Sequence, residues 1–336
     1  MLDVVCLGEA LIDLVSTAPV ASVADAPAFV PAAGGAPANV AVALARLGVR
    51  TGFVGKVGDD PFGRHLGRTL AANGVDTTRL RLDPSARTAL AFVALDEVGH
   101  PDFVFFRHPS ADMLLRREEL DIDYLAGARA LHTGSIILTA EPSRSTIVEA
   151  MRLARSAGRL VCLDPNVRLS LWGSEEELRR VVLPLLALAD VVKLSEEDLA
   201  ALVGTSDPAC GSAEVLERGP RLVVVTRGKE GCFGRSARWT LAVPGFRVPV
   251  VDTTGAGDAF AGGLLAGLLA LGGTPEALPA LGEGDLLAAL RLANAVGALT
   301  TTARGAIPAL PDCAAVRRFL AERGERAALA LLGHSG

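Results

Sequence analysis

Residues 250–263 read VVDTTGAGDAFAGG, a glycine-rich turn that runs into an apolar helix. Unpaired backbone N–H groups and the positive end of the helix dipole face any ligand held at residues 255–258, GAGD. A phosphoryl group suits such a site. Asp258 has two interpretations at this point, because Asp is also a preferred residue at a helix start: it is either a cap or a catalytic group.

Two common phosphate-binding motifs do not match the chain. A P-loop requires G-x-x-x-x-G-K-[ST], and the nearest candidate, residues 52–57, has neither the first glycine at the right offset nor a hydroxyl after Lys56. A dinucleotide fingerprint requires G-x-G-x-x-G near the first strand, whereas here Phe260 replaces the third glycine and the turn comes late. The sequence therefore argues against a P-loop enzyme and against a nucleotide-binding oxidoreductase.

Length and composition bound the class of protein. The 336 residues are 50% hydrophobic and 21% charged, with a formal net charge of −5. The chain is long enough for one large α/β domain or two smaller ones. Its mildly acidic net charge argues against binding of nucleic acid, which typically requires a basic surface.

Cysteine usage and the N-terminal residues bear on the compartment. The 5 cysteines are widely spaced and include no C-x-x-C pair, so we expect reduced thiols rather than disulfides or a zinc site. The first residues, MLDVVCLGEALIDLV, lack a basic region and carry acids inside the apolar run, which argues against a signal peptide or a membrane span. We therefore expect a cytoplasmic protein.

Apolar runs of strand length alternate with longer helical patterns, which predicts a doubly wound α/β fold with a mostly parallel sheet. The predicted strands are 4–9, 52–58, 128–136, 159–166, 190–195 and 221–228. The predicted helices between them are 37–48, 61–74, 141–158 and 174–189. Most of these helices end at Gly, as C-cap chemistry requires.

One segment breaks this alternation. Residues 87–107, RTALAFVALDEVGHPDFVFFR, contain two strand-like runs joined by a turn with Gly and Pro, which predicts a hairpin outside the core. Residues 13–33 can supply partner strands. The predicted domains are a core of residues 1–12, 34–86 and 111–320, a small β-sheet lid of residues 13–33 and 87–110, and a C-terminal helix and tail at 321–336.

A second glycine cluster precedes another helix. Residues 34–48, GGAPANVAVALARLG, place Gly34 and Gly35 at the mouth of that helix. Asn39 lies in its first turn, where a short amide can meet a hydroxylated ligand. Taken alone, a tight turn with an ordinary helix start is the simpler interpretation.

Together the two clusters resemble the signatures of the PfkB, or ribokinase-like, family of sugar and nucleoside kinases. GGAPANVAVALARLG is similar to the N-terminal signature, and DTTGAGDAFAGG to the C-terminal one, D-T-x-G-A-G-D. The resemblance runs from residue 4 to about residue 311. The segments that most resemble fructokinases are ARTALAFVALD (86–96), FFRHPSADMLL (105–115), DPNVRLSLW (164–172), VVKLSEEDL (191–199) and ARGAIPALP (303–311).

The resemblance implies a doubly wound kinase with a β lid. Asp258 matches the family's catalytic base, which takes the proton of the sugar hydroxyl as that hydroxyl attacks the γ-phosphoryl group of ATP. We expect Asp258 to be ionised, since it lies near a helix N-terminus. The implied catalytic set is Asp258, the anion-hole amides of Gly255, Ala256, Gly257 and Asp258, and Arg168. A solvated surface arginine is the alternative interpretation of Arg168.

On the sugar side, the resemblance implies a set of hydroxyl-binding positions. Carboxylates and amides suit them, because a buried hydroxyl needs a partner and a site built for it rejects analogues that lack it. The implied positions are Asp13, Gly34, Gly35, Asn39, Arg107 and Asn166. Arg107 also has the alternative of a surface arginine.

For the nucleotide, the segment TRGKEG resembles the family's T-x-G-x-x-G loop. Asn294 matches a position that meets adenine in relatives, although a polar residue on a helix face is the simpler interpretation. The implied ATP-binding residues are Lys193, Thr226, Gly228, Gly231 and Asn294.

Two metal ions follow from the resemblance. Mg²⁺ is expected with ATP, because it neutralises the β- and γ-oxygens. The family's N-x-x-E motif that helps to organise Mg²⁺ is replaced by Ser195-Glu196-Glu197-Asp198, which leaves the ligands open. Many members also bind K⁺ beside the anion hole, at positions that match Asp252, Thr254, Thr300, Ala303 and Gly305.

The resemblance thus implies an ATP-dependent fructokinase that forms fructose 6-phosphate, with sugar and ATP as its small-molecule partners. One alternative is another kinase of the family, acting on ribose, 2-keto-3-deoxygluconate or a nucleoside. A second is a silent relative that binds a sugar and acts through partner proteins; retention of Asp258 argues against it. We expect neither nucleic acid nor a membrane as a partner. Lid sheets of the family can pair, so a homodimer through the lid is a further hypothesis.

Overall fold

The computed structural model describes residues 1–97 and 101–334 of the chain. The strands are β1 Val4–Leu7, β2 Leu11–Ser16, β3 Phe29–Gly34, β4 Thr51–Gly58, β5 Asp76–Asp83, β6 Leu90–Leu95, β7 Pro101–Phe106, β8 Ala130–Gly134, β9 Leu160–Asp164, β10 Val191–Ser195, β11 Leu222–Thr226, β12 Cys232–Ser236 and β13 Thr240–Val243. The α-helices are α1 Ala36–Arg46, α2 Pro61–Ala72, α3 Ile122–Ala126, α4 Ser143–Ser156, α5 Glu175–Val182, α6 Glu196–Val203, α7 Pro208–Glu217, α8 Ala256–Ala270, α9 Glu283–Thr300, α10 Cys313–Glu322 and α11 Arg326–Leu331.

A nine-stranded sheet forms the centre of the molecule, in the order β13-β12-β11-β10-β9-β8-β1-β4-β5. The strands from β11 to β5 in this order are parallel, and β12 and β13 add an antiparallel edge. From β1 the sheet continues through β4 to β5 at one edge, and from β8 it continues in chain order to β13 at the other edge. The order therefore reverses between β1 and β8, and ligands of such sheets bind beyond the carboxyl ends of the strands at this point.

The core lies on both faces of this sheet. Alternate residues of a strand point to opposite faces, so Val4 and Cys6 of β1 join one buried cluster while Val5 and Leu7 join the other. The first cluster includes the apolar sides of α1, α8 and α9, and the second includes those of α4, α5 and α6. Strands covered on both faces are apolar along their whole length, which explains why the sequence pattern identifies them.

A second, four-stranded sheet has the order β3-β2-β6-β7. β2 pairs with β3 antiparallel and with β6 parallel, and β6 pairs with β7 antiparallel. One face of this sheet carries Asp13, Gly34 and Phe103, and the opposite face carries Phe92 and Phe106. The predicted fold class, a doubly wound mostly parallel sheet with a small additional β-sheet, is confirmed. The boundaries at which the chain divides into domains stay a prediction.

Several elements differ from the sequence prediction. The predicted helix 174–189 is wrong in its second half, because α5 ends at Val182 and a 3₁₀ helix, Leu183–Leu188, follows with Pro184 in its first turn. The edge strand β5 has no buried residue and hence no apolar run to predict it. The predicted hairpin turn falls on residues 98–100, which lie outside the described residues.

The predicted C-terminal helix near residues 324–333 is α11, and its Ala328 and Leu331 are buried in the first core cluster. The five cysteines are free thiols, as expected. Within residues 1–97 and 101–334, no helix has the length and apolar character that a membrane crossing requires.

Candidate active site

The predicted catalytic turn lies at the start of α8. Gly255 precedes the helix with φ 76° and ψ 0°, a left-handed conformation that favours glycine. A Cβ at this position would also lie 2.8 Å from the Cβ of Ala306. Glycine is therefore required here by backbone conformation and by close packing.

The backbone donors of this turn are mostly without partners. Among the described residues, the N–H groups of Gly255, Gly257 and Asp258 donate no hydrogen bond, whereas Ala256 N–H donates to the Thr253 carbonyl at 3.2 Å. The sequence prediction named all four amides as an anion hole. The structure leaves three of them open and engages Ala256 in the turn itself.

Asp258 is buried in the first turn of α8, with 8% of its surface exposed. Its Oδ2 accepts a hydrogen bond of 2.8 Å from Nδ2 of Asn39, in the first turn of α1. Burial raises the pKa of Asp258 to about 6; Asp164 adds to this rise, and the Asn39 hydrogen bond, Lys193 and Arg168 oppose it. The helix terminus was expected to favour ionisation of Asp258, but burial has the larger effect and brings its pKa close to the working range of a general base.

The predicted sugar-binding residues converge on the same place. A Cβ on Gly34 would lie 2.1 Å from Oδ2 of Asp13, so only glycine leaves room for that carboxylate. The pKa of Asp13 is raised to about 7, mainly by burial and in part by the Asp258 carboxylate, while Arg168 opposes the rise. Asp13, Asp258 and Arg168 are therefore close enough for their charges to affect one another. Asn39 Oδ1 has no hydrogen-bond partner among the described residues, which leaves an acceptor beside Asp258.

The two predicted arginines have different environments. Arg168 lies over the ring of Phe103, with its guanidinium carbon 5.3 Å from the ring centroid, and so joins the core to the small sheet. Arg107 has only 2% of its surface exposed. Its Nε and Nη2 donate to Asp112 and its Nη1 donates to the Ile136 carbonyl and to Thr139 Oγ1. The surface interpretation of Arg107 is wrong, because the residue is buried and ion-paired, and its predicted role at the sugar stays a prediction.

Asn166 follows β9 and has φ 43°, a left-handed conformation that is uncommon outside glycine. Such a conformation at the carboxyl edge of a sheet is typical of functional sites, where the surrounding structure maintains local strain. Asn166 is partly exposed at the same edge as Thr226 and Ser195. The structure therefore brings this predicted residue to the cleft.

A buried charge cluster supports the anion hole. Lys193 Nζ donates to Asp164 Oδ2 at 3.0 Å and would lie 3.1 Å from a Cβ on Gly257. Burial tends to lower the pKa of Lys193, but the carboxylates of Asp164, Asp198 and Asp258 raise it above its usual value. A lysine cation therefore lies beside the three open N–H groups.

Asp164 is a residue that the sequence analysis did not single out. It is 2% exposed, and its Oδ1 has no partner among the described residues. Its signal was present in the sequence, since it ends a buried strand just before Pro165 and Asn166. Polar residues at the carboxyl ends of parallel strands are candidates for a site.

The segment that replaces the family's N-x-x-E motif is an N-terminal cap. Ser195 Oγ accepts from Asp198 N–H at 3.0 Å, and Asp198 Oδ2 accepts from Ser195 N–H at 2.8 Å. Asp198 Oδ1 accepts from Val167 N–H at 2.7 Å. Both carboxylate oxygens therefore bond to backbone groups, so the structure does not fit Asp198 as a free Mg²⁺ ligand.

The predicted nucleotide loop connects β11 to β12. Gly228 has φ 51° and Gly231 has φ 96°, and a Cβ on Gly231 would lie 2.2 Å from the Val243 carbonyl oxygen. Thr226 Oγ1 donates to the Leu194 carbonyl at 3.2 Å. Asn294 is buried, and its Nδ2 donates to the carbonyls of Val243 and Pro244 at 3.4 and 3.3 Å. These contacts give Asn294 a structural role whether or not it meets a base.

The predicted K⁺ positions surround Asp252. Its Oδ1 accepts from N–H and Oγ1 of Thr254 at 2.9 and 2.7 Å, and its Oδ2 accepts from Gly305 N–H at 2.8 Å. Although burial raises the pKa of Asp252, these hydrogen bonds lower it below its usual value. Thr300 is fully buried and its Oγ1 donates to the Val296 carbonyl at 2.9 Å, whereas Ala303 is exposed. The Asp252 carboxylate therefore joins the segment before α8 to Gly305, and the K⁺ positions stay a prediction.

Within the described parts of the chain, no group of three or more His, Cys, Asp or Glu side chains could hold a metal ion. His132 is buried, and burial lowers its pKa to about 3, so it is neutral. A divalent ion at this site would therefore depend on the phosphates of a bound nucleotide for most of its ligands.

The fold and these groups define a kinase of the PfkB type. The family model described as pfkB family carbohydrate kinase matches residues 1–313, and the chain belongs to this family. The chain is 48% identical over 320 residues to probable fructokinase-7 of Arabidopsis thaliana, with 94% of this chain and 92% of that protein covered.

Two solved structures of fructokinases are similar in fold as well. The fructokinase of Xylella fastidiosa with bound ATP has a TM-score of 0.88 and 38% identity, and covers 96% of this chain and 99% of that one. A double mutant of the Vibrio cholerae O395 fructokinase, with fructose, ADP and a potassium ion bound, has a TM-score of 0.82 and 38% identity over 95% of this chain and 98% of that one. The resemblance that the sequence motifs indicated is confirmed.

Proposed function

We propose that the protein is an ATP-dependent fructokinase that transfers the γ-phosphoryl group of ATP to the 6-hydroxyl of D-fructose. The observation that carries the proposal is the position of Asp258, a buried carboxylate with a pKa of about 6 beside three open backbone N–H groups. A base and an anion site within one helical turn are what transfer of a phosphoryl group to a hydroxyl requires. The similarity to fructokinases over more than nine-tenths of the chain supports fructose as the acceptor.

Asp258 takes the proton of the 6-hydroxyl as the oxygen forms a bond to the γ-phosphorus and the bond from that phosphorus to the bridging oxygen of ADP breaks. The N–H groups of Gly255, Gly257 and Asp258 stabilise the negative charge of the transferred group, together with Lys193. Such donors are effective because they are already oriented before the reaction. Loss of one well-placed donor or base typically costs roughly 10² to 10⁴ in rate.

The sugar lies between the two sheets. Asp13, Asn39 and the Gly34–Gly35 turn bind its hydroxyls, and Arg168 and Asn166 border it on the core side. Arg168 of the core contacts Phe103 of the small sheet, and this contact holds the small sheet against the core when the sheet closes over the sugar. Closure of this lid excludes water and so limits hydrolysis of ATP.

The nucleotide lies along the carboxyl edge of β10 and β11, at Lys193, Thr226, Gly228 and Gly231, with Asn294 at the adenine end. Bound Mg²⁺ neutralises phosphate oxygens, and Asp164, whose Oδ1 is without a partner, is the carboxylate best suited to face it. Loops 252–254 and 300–305 would hold K⁺ and so keep the anion-hole turn in place. A potassium ion in the related Vibrio cholerae structure supports this assignment.

The test is ADP release by the purified protein with MgATP and each of fructose, glucose, ribose, 2-keto-3-deoxygluconate and adenosine, with and without K⁺. Turnover selective for fructose and stimulated by K⁺ is expected. Selective turnover of another acceptor would show that the protein is a kinase of the same family with a different substrate. Absence of turnover on every acceptor would instead favour a silent sugar-binding relative, which a fructose-binding measurement would then identify.

We also propose a homodimer through the small sheet. Its outer face carries a partly exposed aromatic cluster, with ring centroids of Phe92 4.9 Å from Phe29 and 5.2 Å from Phe106. Phe106 is 61% exposed and Val104 is 41% exposed on the same face. Light scattering should give the mass of a dimer for the unaltered chain and of a monomer for Phe106→Ser; a monomeric unaltered chain would overturn the proposal.

A cytoplasmic location is proposed from chemistry. ATP as a substrate and five free cysteines, three of them buried, suit a reducing compartment. One relative, from Arabidopsis thaliana, is named as chloroplastic, so the location differs within the family. Fractionation of the native cells with an antibody to the protein would test this proposal.

A further inference from the structure

Glu9 lies where the chain passes from β1 of the large sheet to β2 of the small one, and its side chain is completely buried. Oε1 accepts a hydrogen bond of 3.3 Å from the backbone N–H of Ala36, the first residue of α1. Oε2 has no hydrogen-bond partner among the described residues. A buried carboxyl group with a single hydrogen bond is costly and indicates a specific role.

The chain around Glu9 packs closely against the turn predicted to bind the sugar. A Cβ on Gly8 would lie 2.4 Å from Cγ of Pro37, and a Cβ on Gly35 would lie 2.6 Å from the Glu9 carbonyl oxygen. Gly35, which precedes α1, has no side chain to cap the helix. Glu9 therefore supplies from another segment the acceptor that a capping side chain supplies in other helices.

The charges of the buried Arg107–Asp112 ion pair act on Glu9. Burial raises the pKa of Glu9 to about 7, Arg107 opposes this rise, and Asp112 adds to it. Arg107 pairs directly with Asp112, and the hydrogen bond that Glu9 itself makes is the one from Ala36 N–H.

We propose that Glu9 is a positioning residue of the sugar site, which fixes the Gly34–Gly35 turn by accepting the Ala36 N–H. This inference rests on the proposed fructokinase function and adds a residue to it. Glu9 acts through the turn and does not contact the sugar.

Two substitutions separate the hydrogen bond from the charge. Glu9→Gln keeps a carbonyl oxygen that can accept the Ala36 N–H, whereas Glu9→Ala removes the acceptor. We expect Glu9→Ala to raise KM for fructose by about tenfold or more and to leave KM for ATP within about twofold, since only the sugar turn is displaced. Glu9→Gln should stay within about threefold of the unaltered enzyme in both constants.

Asp190→Ala is the matched control. Asp190 is 1% exposed and accepts the Val161 N–H at 3.0 Å, at the end of the sheet opposite to the site. Its loss should lower the melting temperature without changing KM for fructose. Equal rises of both KM values in Glu9→Ala, an unchanged KM for fructose, or a Glu9→Gln variant as impaired as Glu9→Ala would each overturn the proposal.

Hydrogen exchange gives a readout that does not depend on activity. Deuterium uptake of a peptide covering residues 34–42 should rise in Glu9→Ala and stay unchanged in Glu9→Gln and Asp190→Ala. If the unaltered chain does not phosphorylate fructose, the proposed function fails, but hydrogen exchange still decides whether Glu9 holds the turn. Unchanged uptake in Glu9→Ala would overturn the positioning role.

Discussion

The N-termini of α7 and α8 both carry an aspartate, and the two aspartates differ in every physical respect. Asp207 precedes α7 and its carboxylate accepts the Cys210 N–H at 2.6 Å in an exposed position. This hydrogen bond holds the pKa of Asp207 below its usual value. Asp258 lies three residues after the glycine that begins α8, accepts a side-chain hydrogen bond from Asn39, and is buried with a raised pKa.

The difference shows that one residue type can cap a helix or lie buried within its first turn, and we propose that only the second is a base. A cap must lie before the helix, where its oxygen can reach the first N–H groups. Asp258 lies inside the first turn and cannot satisfy those groups, so they stay available to a ligand. The same displacement buries the carboxylate between α1 and the small sheet, which raises its pKa to about 6.

The largest expected effect is that of Asp258→Asn, which keeps the size and the hydrogen-bonding capacity of the side chain but removes the base. We expect kcat for fructose to fall by roughly 10² to 10⁴, measured as ADP release. Circular dichroism and fructose binding serve as controls and should be unchanged. Near-normal turnover by this variant would show that Asp258 is not the base.

Substitution of Asp252 tests the stability of the turn that precedes α8 rather than the proposed base. Asp252→Ala removes three hydrogen bonds, two donated by Thr254 within the turn and one donated by Gly305 N–H. We expect the free energy of unfolding to fall by about 1–3 kcal/mol, and kcat to fall by less than it does in Asp258→Asn. Denaturant unfolding and ADP release measure the two effects. Asp252→Asn, which retains an acceptor, is the matched variant and should be less impaired; equal stability of the Ala variant and the unaltered protein would contradict the role of Asp252 as a clamp.

The pH dependence tests the electrostatics of the cleft. The base acts in its deprotonated form, so kcat/KM should fall as the pH falls through about 6 to 7, where Asp258 and Asp13 titrate together. Arg168 lowers the pKa of both groups. Arg168→Gln should therefore move this acidic limb to higher pH.

Arg221→Gln is the control for the pH profile, because Arg221 pairs with Asp190 at the far end of the sheet. Its acidic limb should coincide with that of the unaltered enzyme. An acidic limb that stays in place in Arg168→Gln would mean that the arginine does not act on the two carboxylates.

The smallest effect on activity and stability is expected for substitution of Asp207, the cap of α7. Asp207→Ala should lower the melting temperature slightly, because one N–H at the start of α7 loses its acceptor. Its kcat and both KM values should equal those of the unaltered enzyme. A marked loss of activity in this variant would remove the distinction between the two aspartates.

Much of the fold could be predicted from sequence because buried parallel strands are continuously apolar. The six predicted strands correspond to β1, β4, β8, β9, β10 and β11. The outer strands β5, β12 and β13 were not predicted, since they contain few buried residues and lack that signal. The helix predicted at 174–189 was wrong beyond Val182, because the apolar residues around Pro184 fit a 3₁₀ helix equally well.

The site was less predictable, for reasons of distance along the chain. Asn39 and Asp258 are 219 residues apart and meet only because α1 and α8 pack side by side. Arg107 was expected at a surface or in a cleft, since an arginine is seldom buried without a partner. Asp112 and the carbonyl of Ile136 satisfy it in the interior.

The sequence by itself determined which residues can form the turn, because only glycine accepts the backbone of Gly255 and Gly35, and it determined the alternation of strands and helices through apolar periodicity. The tertiary structure alone decided which acid is buried with a raised pKa and which caps a helix or joins two segments. Ionisation depends on burial and on the charges and donors within a few ångströms, and for Asp258, Asp252 and Asp198 these come from segments that only the packed fold brings together.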